Sequence, residues 1–283
     1  MKILVSGEIQ RPTPQIGNIL RLWNILKLRW PDASVLTDSK NKMTPEEWKG
    51  AIDGEPGDEM EIVRAAKEGD FGMVVGFELC KRATDQLEAA GIDWVNSIIH
   101  PIRYGPDLLF GAKTNRRELP FNTVSMRQWE HTFRCWALLE KARNARNLQQ
   151  SDNFAVIIGQ VPRDKNCTGV NFVEIAVKLE GEFKKLTPMV FFKHHPKADF
   201  QDLPVSAIEN NTYELLSHPN CVKVGGWNSS VLYEAQFFDV PTQQLGPSWW
   251  EGFVPITLSQ LVGYNLPDGA LRRIVQDTWG YRS

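Results

Sequence analysis

The chain has 283 residues, 42 % of them hydrophobic and 23 % charged, with a formal net charge of −2. That length suits two ordinary domains or one large one, the composition is that of a globular protein, and near-neutrality gives no electrostatic reason to seek nucleic acid. The four cysteines, Cys80, Cys135, Cys167 and Cys221, form no C-x-x-C pair, which argues against a disulfide framework or structural zinc and for a reducing cytoplasm.

Met1-Lys2-Ile3-Leu4-Val5 opens a strand and is too short, before Gly7-Glu8, to be a signal peptide. No stretch approaches the roughly 18 uninterrupted apolar residues of a membrane span, so a soluble protein is expected. Peripheral attachment at the inner face of the cytoplasmic membrane stays open. From Gly17 to Trp30 the apolar residues fall at spacings near three and four, which predicts an amphipathic helix ended by Pro31. Ser34–Thr37 reads as a second strand, and residues 39–59 as a polar stretch with a loop at Gly54-Glu55-Pro56-Gly57. A helix over Met60–Ala66, a strand over Gly72–Gly76, a helix over Lys81–Ala90 and a strand over Trp94–Ile99 follow. This alternation implies a parallel sheet with helices on both faces.

Ser125–Leu148 is a long helical stretch leading into a polar link near 148–153. Phe154–Gly159 restarts the strand pattern, and Phe172–Leu186 is helical. The expected fold class is therefore α/β, with two Rossmann-like lobes facing a cleft. The first lobe is expected to span residues 1–150 and the second 151–265. A C-terminal helix within 266–283 is expected to pack back on the first lobe.

The segment 188–250 is the most informative. An apolar strand runs into Lys193-His194-His195-Pro196, and another, Cys221–Val224, leads to Gly225-Gly226-Trp227-Asn228-Ser229-Ser230. A third short strand lies at Val240–Leu245. Ligands of α/β sheets sit beyond the carboxyl ends of the strands, where helix N-termini also present free N–H groups. Pro196 stops the strand and fixes His195 at its end, where Lys193 supplies a point charge; the plainer alternative is that both histidines satisfy local carbonyls. Asn228, Ser229 and Ser230 suit a phosphate-facing helix start, and equally a plain N-cap. Glu234, one turn on, either accepts from ribose hydroxyls or simply favours the helix dipole. Gln160, Arg163 and Asp164 follow the second lobe's first strand; Asp164 is a possible nucleophile or base, or an ordinary loop acid paired with Arg163 or Lys165. His100 and Arg103 end a first-lobe strand with Asp107 nearby and suit a sugar carboxylate or an acceptor, or else structural packing.

No Asp-x-Asp, G-x-x-x-x-G-K-[ST], G-x-G-x-x-G after a strand, or G-x-S-x-G occurs. Metal–diphosphate, P-loop, nicotinamide-dinucleotide and serine-hydrolase readings lose their usual signatures, and neither a metal nor a cofactor is expected.

Ile157-Ile158-Gly159-Gln160-Val161 with Asp164, then Lys193-His194-His195-Pro196, then Ser229-Ser230, Tyr233-Glu234-Ala235, Val240-Pro241 and Gly246-Pro247-Ser248-Trp249-Trp250, resemble the bacterial retaining β-Kdo transferases of capsule and lipopolysaccharide assembly. Gly91-Ile92, His100-Pro101-Ile102-Arg103 and Asp107-Leu108-Leu109-Phe110 are similar to that family's first lobe. The resemblance implies a two-lobed, metal-independent glycosyltransferase fold of the B type with CMP-Kdo as donor and a glycan or glycolipid as acceptor. It implies that His195 and the Ser229-Ser230 helix start hold the CMP phosphate, that Glu234 meets the ribose, and that Asp164 is the nucleophile. Pro162-Arg163 stands where the capsule enzymes carry two further acids, His194 replaces a proline, and the chain is shorter than most relatives.

One phosphate can be balanced by an imidazole, an ammonium and a helix start without Mg²⁺. Kdo's own carboxylate calls for a cation such as Arg103 or Arg163. Glu8, just past the first strand, is a candidate base by position. Two other readings stay open: the same fold with CMP-sialic acid or a UDP- or GDP-sugar, and a non-catalytic nucleotide- or glycan-binding module.

Overall fold

The computed structural model describes residues 1–105, 108–145, 152–161, 167, 169–195 and 205–263. These form two compact units. The first comprises residues 1–100, 108–124 and 252–263; the second comprises 101–105 and the described part of 125–251.

In the first unit, strands β1 (Ile3–Gly7), β2 (Ser34–Val35), β3 (Met73–Phe77) and β4 (Asp93–Ile99) pair in parallel, with helices α1 (Ile16–Leu26), α2 (Pro45–Asp53), α3 (Glu61–Glu68) and α4 (Lys81–Ala89) between them. Period-2 alternation sends Ile3, Val5, Met73, Val75 and Phe77 into one core with α1, while Leu4 and Val74 enter another with α2, α3 and α4. Helices therefore cover both faces, as parallel strands require. β5 (Phe110–Thr114) is antiparallel to β4, and β11 (Val254–Ile256) is antiparallel to β5, so the sheet is mixed rather than parallel throughout. Its order is β11-β5-β4-β3-β1-β2.

The second unit holds α5 (Met126–Asn144), β6 (Phe154–Ile158), α6 (Phe172–Phe183), β7 (Met189–Lys193), β8 (Ser206–Ala207), α7 (Thr212–Ser217), β9 (Cys221–Gly226), α8 (Ser230–Ala235) and β10 (Thr242–Gln244). A 3-10 turn over Gln236–Phe238 extends α8. All five strands are parallel, in the order β10-β9-β6-β7-β8. Short α9 (Leu258–Val262) packs with α1 in the first unit's core.

The expected boundary near 150 is corrected by packing. Phe133 of α5 is fully buried; its ring lies 5.1 Å from Phe237, and its carbonyl accepts from the Tyr104 hydroxyl at 3.1 Å. Arg134 and Lys141 both pair with Asp239, at 3.1 and 3.3 Å. These contacts make α5 and the segment 101–105 parts of the second unit. The segment 252–263 returns to the first, because Ile256, Leu258, Leu261 and Val262 are buried in its core. The helix expected within 266–283 lies outside the described residues.

Candidate functional site

The second sheet has the order of a mononucleotide-binding fold. From β6 the chain builds outward through β7 to β8, then crosses back to place β9 on the other side of β6 and β10 beyond it. Ligands of such sheets bind beyond the carboxyl ends of the strands where strand order reverses, and here the reversal falls between β6 and β9. Register aligns those ends: Ile158 is level with Lys193 and Gly226, and Gly226 with Gln244. The next residues along this edge are Gly159-Gln160, His194-His195, Trp227-Asn228-Ser229 and Leu245-Gly246. Gly159 must lack a side chain, since a Cβ there would meet the Phe192 ring at 2.8 Å.

Most of the residues expected to hold a nucleotide lie on this edge. Lys193 and His195 are part-exposed at the end of β7, and the Lys193 ammonium donates to the Glu209 carbonyl at 3.4 Å. His194 packs against Phe192, with ring centroids 5.0 Å apart. Ser229 is the N-cap of α8, its hydroxyl accepting from the Val231 N–H at 3.4 Å, and part-exposed Ser230 starts the helix. Gln160 and Asn228 bond to each other reciprocally. The Gln160 Nε2–H donates to Asn228 Oδ1 and the Asn228 N–H donates to Gln160 Oε1, both at 2.9 Å. Asp164, Arg163, Pro196 and Asp107 lie outside the described residues.

Other placements differ from expectation. Glu234 is 1 % exposed, so its carboxyl is turned into the protein rather than toward a ribose at the surface. Its Oε1 accepts from the Arg103 N–H at 2.5 Å and from the Tyr213 hydroxyl at 3.1 Å. Burial pushes this carboxyl up to about 8, against the opposing pull of the Arg103 N–H and guanidinium and then of the Tyr213 hydroxyl. Arg103 and His100, expected side by side, belong to different units. His100 is buried at the end of β4, whereas Arg103 is held in the second unit by Glu234. Among the described residues the Arg103 Nη1 is buried with no hydrogen-bond partner.

Glu8 is 4 % exposed, and its carboxyl accepts from the Cys80 N–H, the N-cap position of α4. An anion there completes the positive end of the helix, which makes Glu8 an anchor for the turn after β3 rather than a surface base. Sequence reasoning missed Glu78 in that turn. It is a non-glycine residue at φ 56, with its carboxylate 3.5 Å from Arg11 and accepting from Gln15 Nε2 at 3.2 Å. Asn96 clamps the neighbouring Leu79, accepting its N–H at 2.8 Å and donating to its carbonyl at 2.9 Å. This turn stands at the first sheet's own reversal of strand order, between β1 and β3.

Among the described residues no group of three or more His, Cys, Asp or Glu side chains could hold a metal ion, and no helix is long and apolar enough to cross a membrane.

No family model and no curated protein sequence matches the chain. Solved structures similar to it include two Thermosulfurimonas dismutans KpsC transferases. The beta Kdo 2,7 transferase is 13 % identical, with 98 % of this chain and 99 % of that one covered and a TM-score of 0.47. The beta Kdo 2,4 transferase is also 13 % identical, with 93 % and 89 % covered and a TM-score of 0.49. The UDP-GlcNAc 2-epimerase of Neisseria meningitidis is similar at 11 % identity, 98 % and 90 % coverage and a TM-score of 0.39. At these identities and TM-scores the likenesses assign no activity.

Proposed function

We propose that the protein is a glycosyltransferase that takes Kdo from CMP-Kdo and transfers it to a glycan or glycolipid. The observation that carries this reading is the carboxyl edge of the second sheet, where Lys193, His194 and His195 end one strand and Asn228, Ser229 and Ser230 lead from another into α8. A cation, two imidazoles and serine hydroxyls on one edge suit a single nucleotide phosphate. The ordered motifs from Gly159 to Trp250 that resemble β-Kdo transferases supply the sugar and the base.

In this reading the Asp164 carboxylate attacks the anomeric carbon as the bond to the CMP oxygen breaks, and the electron pair of that bond leaves with CMP. An acceptor hydroxyl, its proton passing to solvent water, then displaces the carboxylate, which leaves with the electron pair of its bond to the anomeric carbon, so two inversions retain configuration. Lys193 and His195 balance the leaving phosphate, and Arg163 takes the Kdo carboxylate.

Thermal unfolding with CMP, UDP and GDP tests the donor. A ligand at about 100 times its Kd stabilises by roughly 2.7 kcal/mol. CMP is expected to give the largest shift, and a larger one with UDP or GDP contradicts the donor. Turnover is read as CMP release from CMP-Kdo. Asp164→Ala is expected to abolish it while CMP still stabilises the fold; full turnover in that variant contradicts the nucleophile.

A further inference from the structure

Gln160 and Asn228 are polar, sit at the reversal point of the second sheet and were expected to meet the nucleotide. Their hydrogen bonds point elsewhere. Besides its reciprocal pair with Gln160, Asn228 donates through Nδ2 to the Pro247 carbonyl at 3.2 Å, and its own carbonyl accepts from the Trp249 indole N–H at 3.0 Å. Gln160 Nε2 also lies 3.5 Å from the sulfur of buried Cys167. Asn228 is 1 % exposed. Two side chains thus join the loop after β6, the loop after β9 and the loop after β10, which follow the strand ends on either side of the reversal of strand order.

We infer that Gln160 and Asn228 are positioning residues, a part-buried amide clasp that fixes these three loops in their ligand-binding arrangement without touching the nucleotide. The inference rests on the nucleotide-binding reading above. Loops are otherwise the least constrained part of an α/β unit, and a few buried hydrogen bonds are an economical way to preorganise them. The clasp also explains the fixed attitude of Trp249: with its N–H given to Asn228, the indole has no donor left and offers only its π-faces and edge.

Two residues that act as one unit cannot lose their effect twice, so a double-mutant cycle separates a clasp from two independent ligand contacts. CMP affinity is measured by titration calorimetry for the wild type, Gln160→Met, Asn228→Ala and the double variant, well below their unfolding temperatures. Each single variant is expected to bind CMP about tenfold more weakly, the size of one lost buried hydrogen bond. The double variant is expected to fall within about twofold of the weaker single. A double variant weakened by the product of the two losses, roughly a hundredfold, overturns the clasp, as do singles that bind like the wild type.

Should a core variant fail to fold, Trp249→Phe takes its place, because it removes the tie to the Asn228 carbonyl from a part-exposed side chain while keeping an aromatic ring beside Trp250. It is expected to bind severalfold more weakly with unchanged cooperative unfolding, and unchanged affinity overturns the inference. A wild type that binds none of CMP, UDP and GDP overturns the nucleotide reading and the clasp with it; intact wild-type binding with an additive cycle overturns the clasp alone.

Discussion

Glu234 sits in the interior of the second unit with the Arg103 N–H and the Tyr213 hydroxyl against one carboxylate oxygen, and burial holds its acid form. A carboxyl raised from 4.5 to about 8 binds a proton in the folded chain that the unfolded chain has already lost in that interval. Stability therefore falls as pH rises from about 4.5 to about 8 and levels off above it. Glu234→Gln, which still accepts both hydrogen bonds, is expected to flatten this fall, as read by urea unfolding at several pH values; an unchanged slope contradicts the assignment. Glu78 makes a second residue-scale prediction. A left-handed backbone costs an ordinary residue about 1–2 kcal/mol and glycine nothing. Glu78→Gly should thus be more stable than Glu78→Ala by about 1 kcal/mol, reversing the usual order, and a more stable alanine variant would show that the turn carries no strain.

Helix α5 shows where element-scale reading succeeds and fails. Ser125 and Gln128 form a capping box, and the spacing of Trp129, Phe133 and Ala137 marks one buried face, so the helix was legible. Its partners were not: Phe237, Tyr104 and Asp239 lie about a hundred residues or tens of residues away, and nothing in a local pattern names them. Phe133→Ala is expected to cost roughly 3–5 kcal/mol by opening a cavity among these rings. The loss should appear in the transition that also reports the second sheet, as followed by urea unfolding with a probe on β9. A loss under 1 kcal/mol would mean that α5 is not part of that core. Strands β1, β3 and β6 were readable because parallel strands buried on both faces are short, largely apolar runs. Helix α2 was missed although Thr44, Pro45 and Glu47 spell its N-terminus, because only Trp48 and Ala51 among its apolar residues are buried and the periodic signal is thin. Strands β5 and β11 were missed, and β11 lies far in sequence from its partner β5. At the site, glycine-punctuated strand ends exposed Gln160, Asn228 and Ser229. The burial of Glu8 and Glu234 and the backbone of Glu78 depend on Cys80, Arg103 and Asn96, which only the fold brings near.

At the scale of the whole molecule there are two α/β units, each with a reversal of strand order that makes a natural ligand edge. The second carries the lysine, histidine and serine groups that suit a nucleotide phosphate; the first carries Arg11, Gln15 and the strained Glu78 at its corresponding point. The proposed transferase depends on the second edge being the donor site. A crystal soaked with CMP tests this most directly. The account predicts the phosphate within hydrogen-bonding distance of His195 or Lys193 and of the Ser229-Ser230 turn, beyond the carboxyl ends of β6 and β9. CMP bound away from that edge, or no CMP bound at a concentration that saturates the protein in solution, would contradict it.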